Sequence, residues 1–328
     1  MFYFAVLSLY HDCRENGIIK SNYQRRFILL KRIMNYFILV VSALLATGKA
    51  LFCKALGVGG RSAKETIALN CRSFFVAFAC SLIFVGDQID KLLSISSFSV
   101  GLSAFLGLST ATTQIMQSKA MGSGPTSMVT LIYSCGFLVP IFYGVFFWDE
   151  SVSVLQWGGI ILLVIAVCLV LGPKEGKGMQ VMWPLFAIAA MLGSGINAII
   201  QKTHQYSAFA KELPFFLVYS MFFSAVFTAV ASLIFCEKKT DRPRLSKNQL
   251  LKTILMPICL GVCVGALNFF NLKLSGKLPS VIHFPVYNIG SMLLTSVISA
   301  AIYKDKPTKK QSIGISIGIA AILVIGLL

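Results

Sequence analysis

The sequence predicts an all-α polytopic membrane protein of ten transmembrane helices, arranged as two inverted five-helix repeats. Three observations predict it. The 328 residues are 56% hydrophobic and only 12% charged, where a soluble domain carries roughly 25% charged residues. The mean hydropathy is +0.80, and the apolar residues fall in runs near the length of about 20 residues that crosses a bilayer as a helix. A motif also recurs without gaps at an offset of 154 residues. Gln114 matches Asn268, Gln117 matches Asn271, Lys119 matches Lys273, Gly122 matches Gly276, Pro125 matches Pro279, Tyr133 matches Tyr287 and Gly136 matches Gly290. A fixed offset with this many matches marks two copies of one unit.

Residues 1–33 stand apart, with a short apolar run from Phe2 to Leu9 and the basic cluster Arg25, Arg26, Lys31 and Arg32. The first spanning pattern begins at Met34, which makes residues 1–33 an N-terminal extension and Met34 a candidate start. Ten spans follow, at about 34–55, 66–86, 98–118, 126–148, 153–172, 181–201, 213–236, 250–272, 279–303 and 311–328. Each must be helical, because lipid offers backbone groups no partner. In the first two spans the repeat offset is 148, so that Lys54 matches Lys202, Lys49 matches Asn197 and Phe74-Phe75 matches Phe222-Phe223. The units are therefore 34–172 and 179–328. An odd number of spans per unit inverts the second copy, an arrangement common in secondary transporters with a midplane site between the halves. Pro125 and Pro279 open spans four and nine as helix starts or as broken helix ends facing a cavity. Trp148, Trp157 and Trp183 fall at span ends, where an interfacial belt forms.

The net charge of +17 is read as loop charge that sets orientation. It is not read as a nucleic-acid surface, since no compact basic domain is present. The basic loops after spans seven and nine place both termini outside, and the cluster at Arg25 to Arg32 argues the reverse. The nine cysteines form no CxxC pair or metal spacing, and the three histidines are scattered, so no metal, cofactor or catalytic centre is expected. No Gly-rich loop ending in Lys-Ser or Lys-Thr is present for ATP. Gly314-xxx-Gly318 and Gly158-Gly159 permit close helix contact, either internal or in a homodimer.

Several stretches carry a resemblance. Gly195-x-Asn197-xxxx-Lys202, Arg72 in Asn70-Cys71-Arg72-Ser73-Phe74-Phe75, and Glu150-Ser151-Val152-Ser153-xx-Gln156-xx-Gly159 resemble the drug/metabolite transporter superfamily, in its EamA-like branch. The first copy departs by placing Lys49 where the amide of the first helix sits, and the second by reducing Glu150 to Asp305. The resemblance implies a carrier of small metabolites or drugs in a plasma membrane, here expected to be a bacterial inner membrane.

The polar residues inside the spans sharpen this. All twelve acids lie in loops, in the N-terminal arm or at span ends. The groups that enter the spans are basic or neutral: Lys49, Arg72, Gln114, Tyr133, Asn197, Asn268, His283 and Tyr287, which are the candidate substrate-binding residues. An intramembrane ionisable group is costly enough to mark a functional site. Lys49 is either a site residue or a snorkelling lysine. Arg72 contacts substrate or pairs with a loop acid. His283 carries a coupling proton or packs. The amides bind substrate or join helices. A basic, amide-lined cavity suits a carboxylate, phosphate or zwitterion, whereas export of lipophilic cations would need a buried carboxylate. The expected function is secondary transport of a small anionic or zwitterionic metabolite by alternating access, with no enzymatic activity. The alternatives are a multidrug exporter or a membrane-embedded lipid-handling protein.

Overall fold

The computed structural model describes residues 17–57, 63–124, 126–149, 151–170, 182–234, 247–275, 280–303 and 309–327. Among them there is no strand. The helices are α1 (Gly17–Gly57), α2 (Ala63–Val85), α3 (Ser97–Ser123), α4 (Thr126–Ser134), α5 (Leu138–Phe147), α6 (Val154–Val170), α7 (Trp183–Tyr206), α8 (Leu213–Ile234), α9 (Lys247–Ser275), α10 (Ser280–Tyr303) and α11 (Lys309–Leu327). α1 begins at Gly17, well ahead of Met34.

Local chemistry explains several boundaries. After α2, Gly86 adopts φ +39° and the chain turns into a 3-10 segment, Gly86–Ser94. This segment lies at 96° to α3. Ser96 caps α3 by accepting the Ser99 amide at 3.2 Å. α7 opens with Pro184, where the missing N–H costs nothing. Between α4 and α5 the chain tightens into a 3-10 turn, Cys135–Phe137. The cause is Pro140, which has no N–H to give the Gly136 carbonyl one turn back. Pro125 and Pro279, read as helix starts or broken helix ends, lie outside the described residues; a break in the helix is seen at Cys135–Phe137.

Among the described residues six helices are long and apolar enough to cross a membrane, or seven if the bent segment and α3 form one span. Their outer faces carry exposed Phe37, Ile83, Phe105, Phe146, Leu185 and Leu233, apolar surface that a bilayer would cover. Trp183 does not belong to an interfacial belt. It is 4% exposed, because Gly124 leaves room for its indole against the end of α3.

α2, α3, α8 and α9 cross one another around a core that fully buries Phe74, Leu106, Phe216, Met221 and Leu260. Glycines set how closely they approach. A Cβ at Gly107 of α3 would sit 2.7 Å from Phe223 Cβ and 2.8 Å from the Ser220 carbonyl of α8. Gly261 of α9 plays the same part against Ser73 and Val76 of α2. α1 packs on α9 and α10, and α7 packs on α3, α4 and α5. α6 and α11 pair with each other at the side, with Gly318 facing Ala166.

Candidate functional site

α1, α3, α4, α5, α7, α9 and α10 enclose a cavity with about 650 Å³ of empty space, counted to its mouth. Lys49 enters from α1, Tyr133 from α4, Asn197 and Gln201 from α7, Asn268 and Asn271 from α9, and Tyr287 and Asn288 from α10. Gly136, Phe137 and Pro140 bring the break between α4 and α5 to the same wall. A Cβ at Gly136 would sit 2.6 Å from the Met191 carbonyl, so glycine there lets α7 close on the break.

Lys49 is partly buried and is the one charged side chain on the wall among the described residues. Its ammonium donates to the Tyr133 hydroxyl at 3.3 Å and stands 5.3 Å from that ring's centre. The partner is neutral, so the positive charge is left uncompensated. Tyr287 lies beside Tyr133 and Asn271. Gln201 donates to the Asn268 carbonyl oxygen at 3.5 Å, and Asn268 donates to the Val264 carbonyl at 3.0 Å. The side-chain oxygens of Asn197 and Asn271 are buried without a hydrogen-bond partner. The wall therefore carries one cationic donor and two phenols, with two unpartnered amide oxygens buried in its lining residues.

Five expected site residues meet here: Lys49, Tyr133, Asn197, Asn268 and Tyr287. Two do not. Arg72 is exposed, because α2 turns Leu69, Asn70, Ser73, Phe74 and Ala77 inward and position 72 falls on the far side. Gln114 is 1% exposed but is held away from the cavity, donating to the Asn70 side-chain oxygen at 3.0 Å. Asn70 in turn donates to the Thr66 carbonyl at 2.8 Å. Gln114 and Asn268, which align in the sequence at the offset of 154, differ in their partners. The residue aligned with Asn70 at the offset of 148 is Val218, which has no side-chain polar group, and the Asn268 oxygen meets Gln201 instead. The counterpart of Gln201 is Cys53. The backbone of His283 lies in α10, and its side chain lies outside the described residues, as do Glu150 and Asp305.

Sequence reasoning missed Gln201, whose signal is its spacing of four from Asn197 on α7. Lys202, which ends the motif that begins at Gly195, does not line the cavity. Lys202 is 1% exposed, with its ammonium 5.0 Å from the Trp148 ring and 5.6 Å from that of Tyr206. Among the described residues no three His, Cys, Asp or Glu side chains gather as a metal would require.

No family model and no curated protein sequence matches this chain. Its fold does match solved structures. One crystal structure of a protein superposes with a TM-score of 0.60 at 12% identity, covering 87% of this chain and 98% of the other. At that identity the likeness concerns the fold alone.

Proposed function

We propose that the protein is a secondary carrier in the drug/metabolite transporter superfamily, EamA-like, which moves a small anionic or zwitterionic metabolite by alternating access of two inverted halves. The observation that carries this reading is Lys49, a cation inside the helical bundle whose partner is a tyrosine hydroxyl rather than a carboxylate. An uncompensated charge at this depth calls for an anion. The free oxygens of Asn197 and Asn271 call for N–H or O–H donors, since a buried polar atom without a partner costs about 1–3 kcal/mol. A solute with a carboxylate at one end and an ammonium or hydroxyl groups at the other meets both demands.

Contacts in matched couples support ten spans in two inverted units, with α4 and α5 counted as one broken span. Gly136 faces Met191, and its counterpart Gly290 faces Ala43, the counterpart of Met191. Gly107 seats α3 on α8 as Gly261 seats α9 on α2. Ser134 donates to the carbonyl of its own counterpart, Asn288, at 3.3 Å. Tyr133 and Tyr287, also counterparts, adjoin in the cavity. These couples favour the reading of an inverted-repeat carrier, in which the site lies between the halves.

A ligand-induced thermal-shift screen of the purified full chain tests the assignment, across amino acids, organic acids, nucleosides and lipophilic cations. Stabilisation by carboxylate-bearing solutes, lost in Lys49→Ala, is the expected result. Stabilisation by lipophilic cations alone overturns the reading in favour of a multidrug exporter.

A further inference from the structure

A chain of polar groups leads from the surface toward the cavity at one end of the bundle. Glu212 is partly exposed on the 3-10 turn Ala210–Glu212. Its carboxylate accepts from the Ser96 hydroxyl at 2.7 Å and from the Ser96 amide at 3.2 Å. The Ser96 and Ser99 hydroxyls are 3.1 Å apart. Ser99 Oγ lies 3.0 Å from Nε2 of His204. His204 and Ser99 are both fully buried, and Nδ1 of His204 has no partner. The imidazole stacks on Phe216 at 4.1 Å between ring centres. His204 also continues the cavity-lining stripe of α7. Ser194, Asn197, Gln201 and His204 recur at spacings of three and four, so they share one side of the helix, and a rise of about 4.5 Å, just under one turn, separates Gln201 from His204.

The fold does not need an imidazole here. In the register that aligns Lys54 with Lys202, the counterpart of His204 is Leu56, which is equally buried. His204 thus introduces a titratable ring in one half of the molecule where the aligned position carries an alkyl side chain.

We propose that His204 is the carrier's proton-binding site, loaded from the membrane surface through Glu212, Ser96 and Ser99. Glu212 takes a proton from water and gives it to Ser96 Oγ. Ser96 gives its own proton to Ser99 Oγ, and Ser99 gives its own to Nε2. The net transfer is one proton from water to the imidazole, with Glu212 again a carboxylate. The imidazolium adds one positive charge a single turn from Gln201, which couples proton binding to anion binding in the cavity. Among the described side chains, the other charged groups at this end are Lys211 beside Glu212, Lys202 on α7, Asp149 after α5, and Asp90 and Lys91 on the 3-10 segment. Of these described groups, Glu212 is the one linked to His204 through the Ser96 and Ser99 hydroxyls. α3 and α8 bring Ser99 and Phe216 against the ring, and neither is titratable.

This inference rests on the carrier reading, so its test keeps the two apart. The full chain in nanodiscs, with labelled histidine, gives three imidazole signals, of which His204 is assigned by its loss in His204→Gln. The His204 signal is expected to shift with pH and to change midpoint in Glu212→Gln. A His204 signal unmoved by pH, or titrating identically in Glu212→Gln, overturns the proposal whatever the transport result. The second arm uses proteoliposomes with labelled L-glutamate and L-alanine as probes. Accumulation driven by a pH gradient is expected to drop to background in His204→Gln, with counterflow at equal pH kept within about twofold, because exchange needs no net proton movement. Accumulation that persists in His204→Gln overturns the proton site and leaves the carrier reading intact. Absence of all flux in the wild type, with a titrating His204, counts against the carrier reading instead.

Discussion

Replacing Lys49 by methionine keeps an unbranched apolar stem and removes the charge. In the carrier account this ammonium meets the anionic end of the solute inside a bundle where no carboxylate shares it among the described residues. A hydrogen bond to a charged partner contributes about 1.5–3 kcal/mol, and each 1.4 kcal/mol is about tenfold in affinity. Lys49→Met should therefore weaken binding of the solute selected by thermal shift by about 10- to 100-fold. Lys49→Arg, which keeps the charge but not the compact ammonium, should recover part of it. The folded state itself should not suffer, because removing a buried charge together with its demand for a partner is neutral or stabilising. Isothermal titration calorimetry on the purified variants, with their unfolding midpoints as a control on folding, reads both effects. An unchanged dissociation constant in a well-folded Lys49→Met would refute the reasoning, since that is how a lysine snorkelling to the interface would behave.

Other expectations follow from the same geometry. Tyr133→Phe removes the hydroxyl that Lys49 meets at 3.3 Å and should weaken binding by less than about tenfold, the scale of a neutral hydrogen bond, in the same calorimetric assay. Asn70→Ala strands the Gln114 amide and should lower stability by about 1–3 kcal/mol while leaving solute affinity unchanged, because this network lies off the cavity; denaturant unfolding and calorimetry together check it. Gly107→Ala forces a methyl to within 2.7 Å of Phe223 Cβ and should cost about 1–3 kcal/mol as an overpacked crossing. Gly101→Ala, with nothing within 4 Å, should be stabilising by up to about 1 kcal/mol from helix propensity, and thermal unfolding in detergent separates the two.

The helical class was legible because lipid leaves a spanning chain few options, and the hydropathy runs mark where helices lie. Lys49, Tyr133, Asn197, Asn268 and Tyr287 were legible as a group that meets in the interior for a related reason, since polar groups inside apolar helices need an interior partner. Arg72 and Gln114 show what such reading misses. Arg72 is polar and inside a span, yet the face it occupies on α2 is fixed by neighbours that only the packed helices reveal. Gln114 aligns with Asn268, yet Asn70 captures it, and the residue aligned with Asn70 is Val218, which has no side-chain polar group. His204 was discounted because the three histidines are scattered along the chain. Its spacing from Asn197 and Gln201 was readable, whereas the hydroxyl chain from Ser99 to Glu212 needs the tertiary fold. The break at Gly136 needs Pro140 and the approach of α7 together.

Counterflow in proteoliposomes tests the central claim most directly. Vesicles loaded with the solute selected by thermal shift, then diluted into a labelled trace of the same solute, should accumulate label transiently and saturably in the wild type and lose this in Lys49→Ala. Wild-type protein that binds the solute in calorimetry yet gives no counterflow would contradict a carrier built around this cavity.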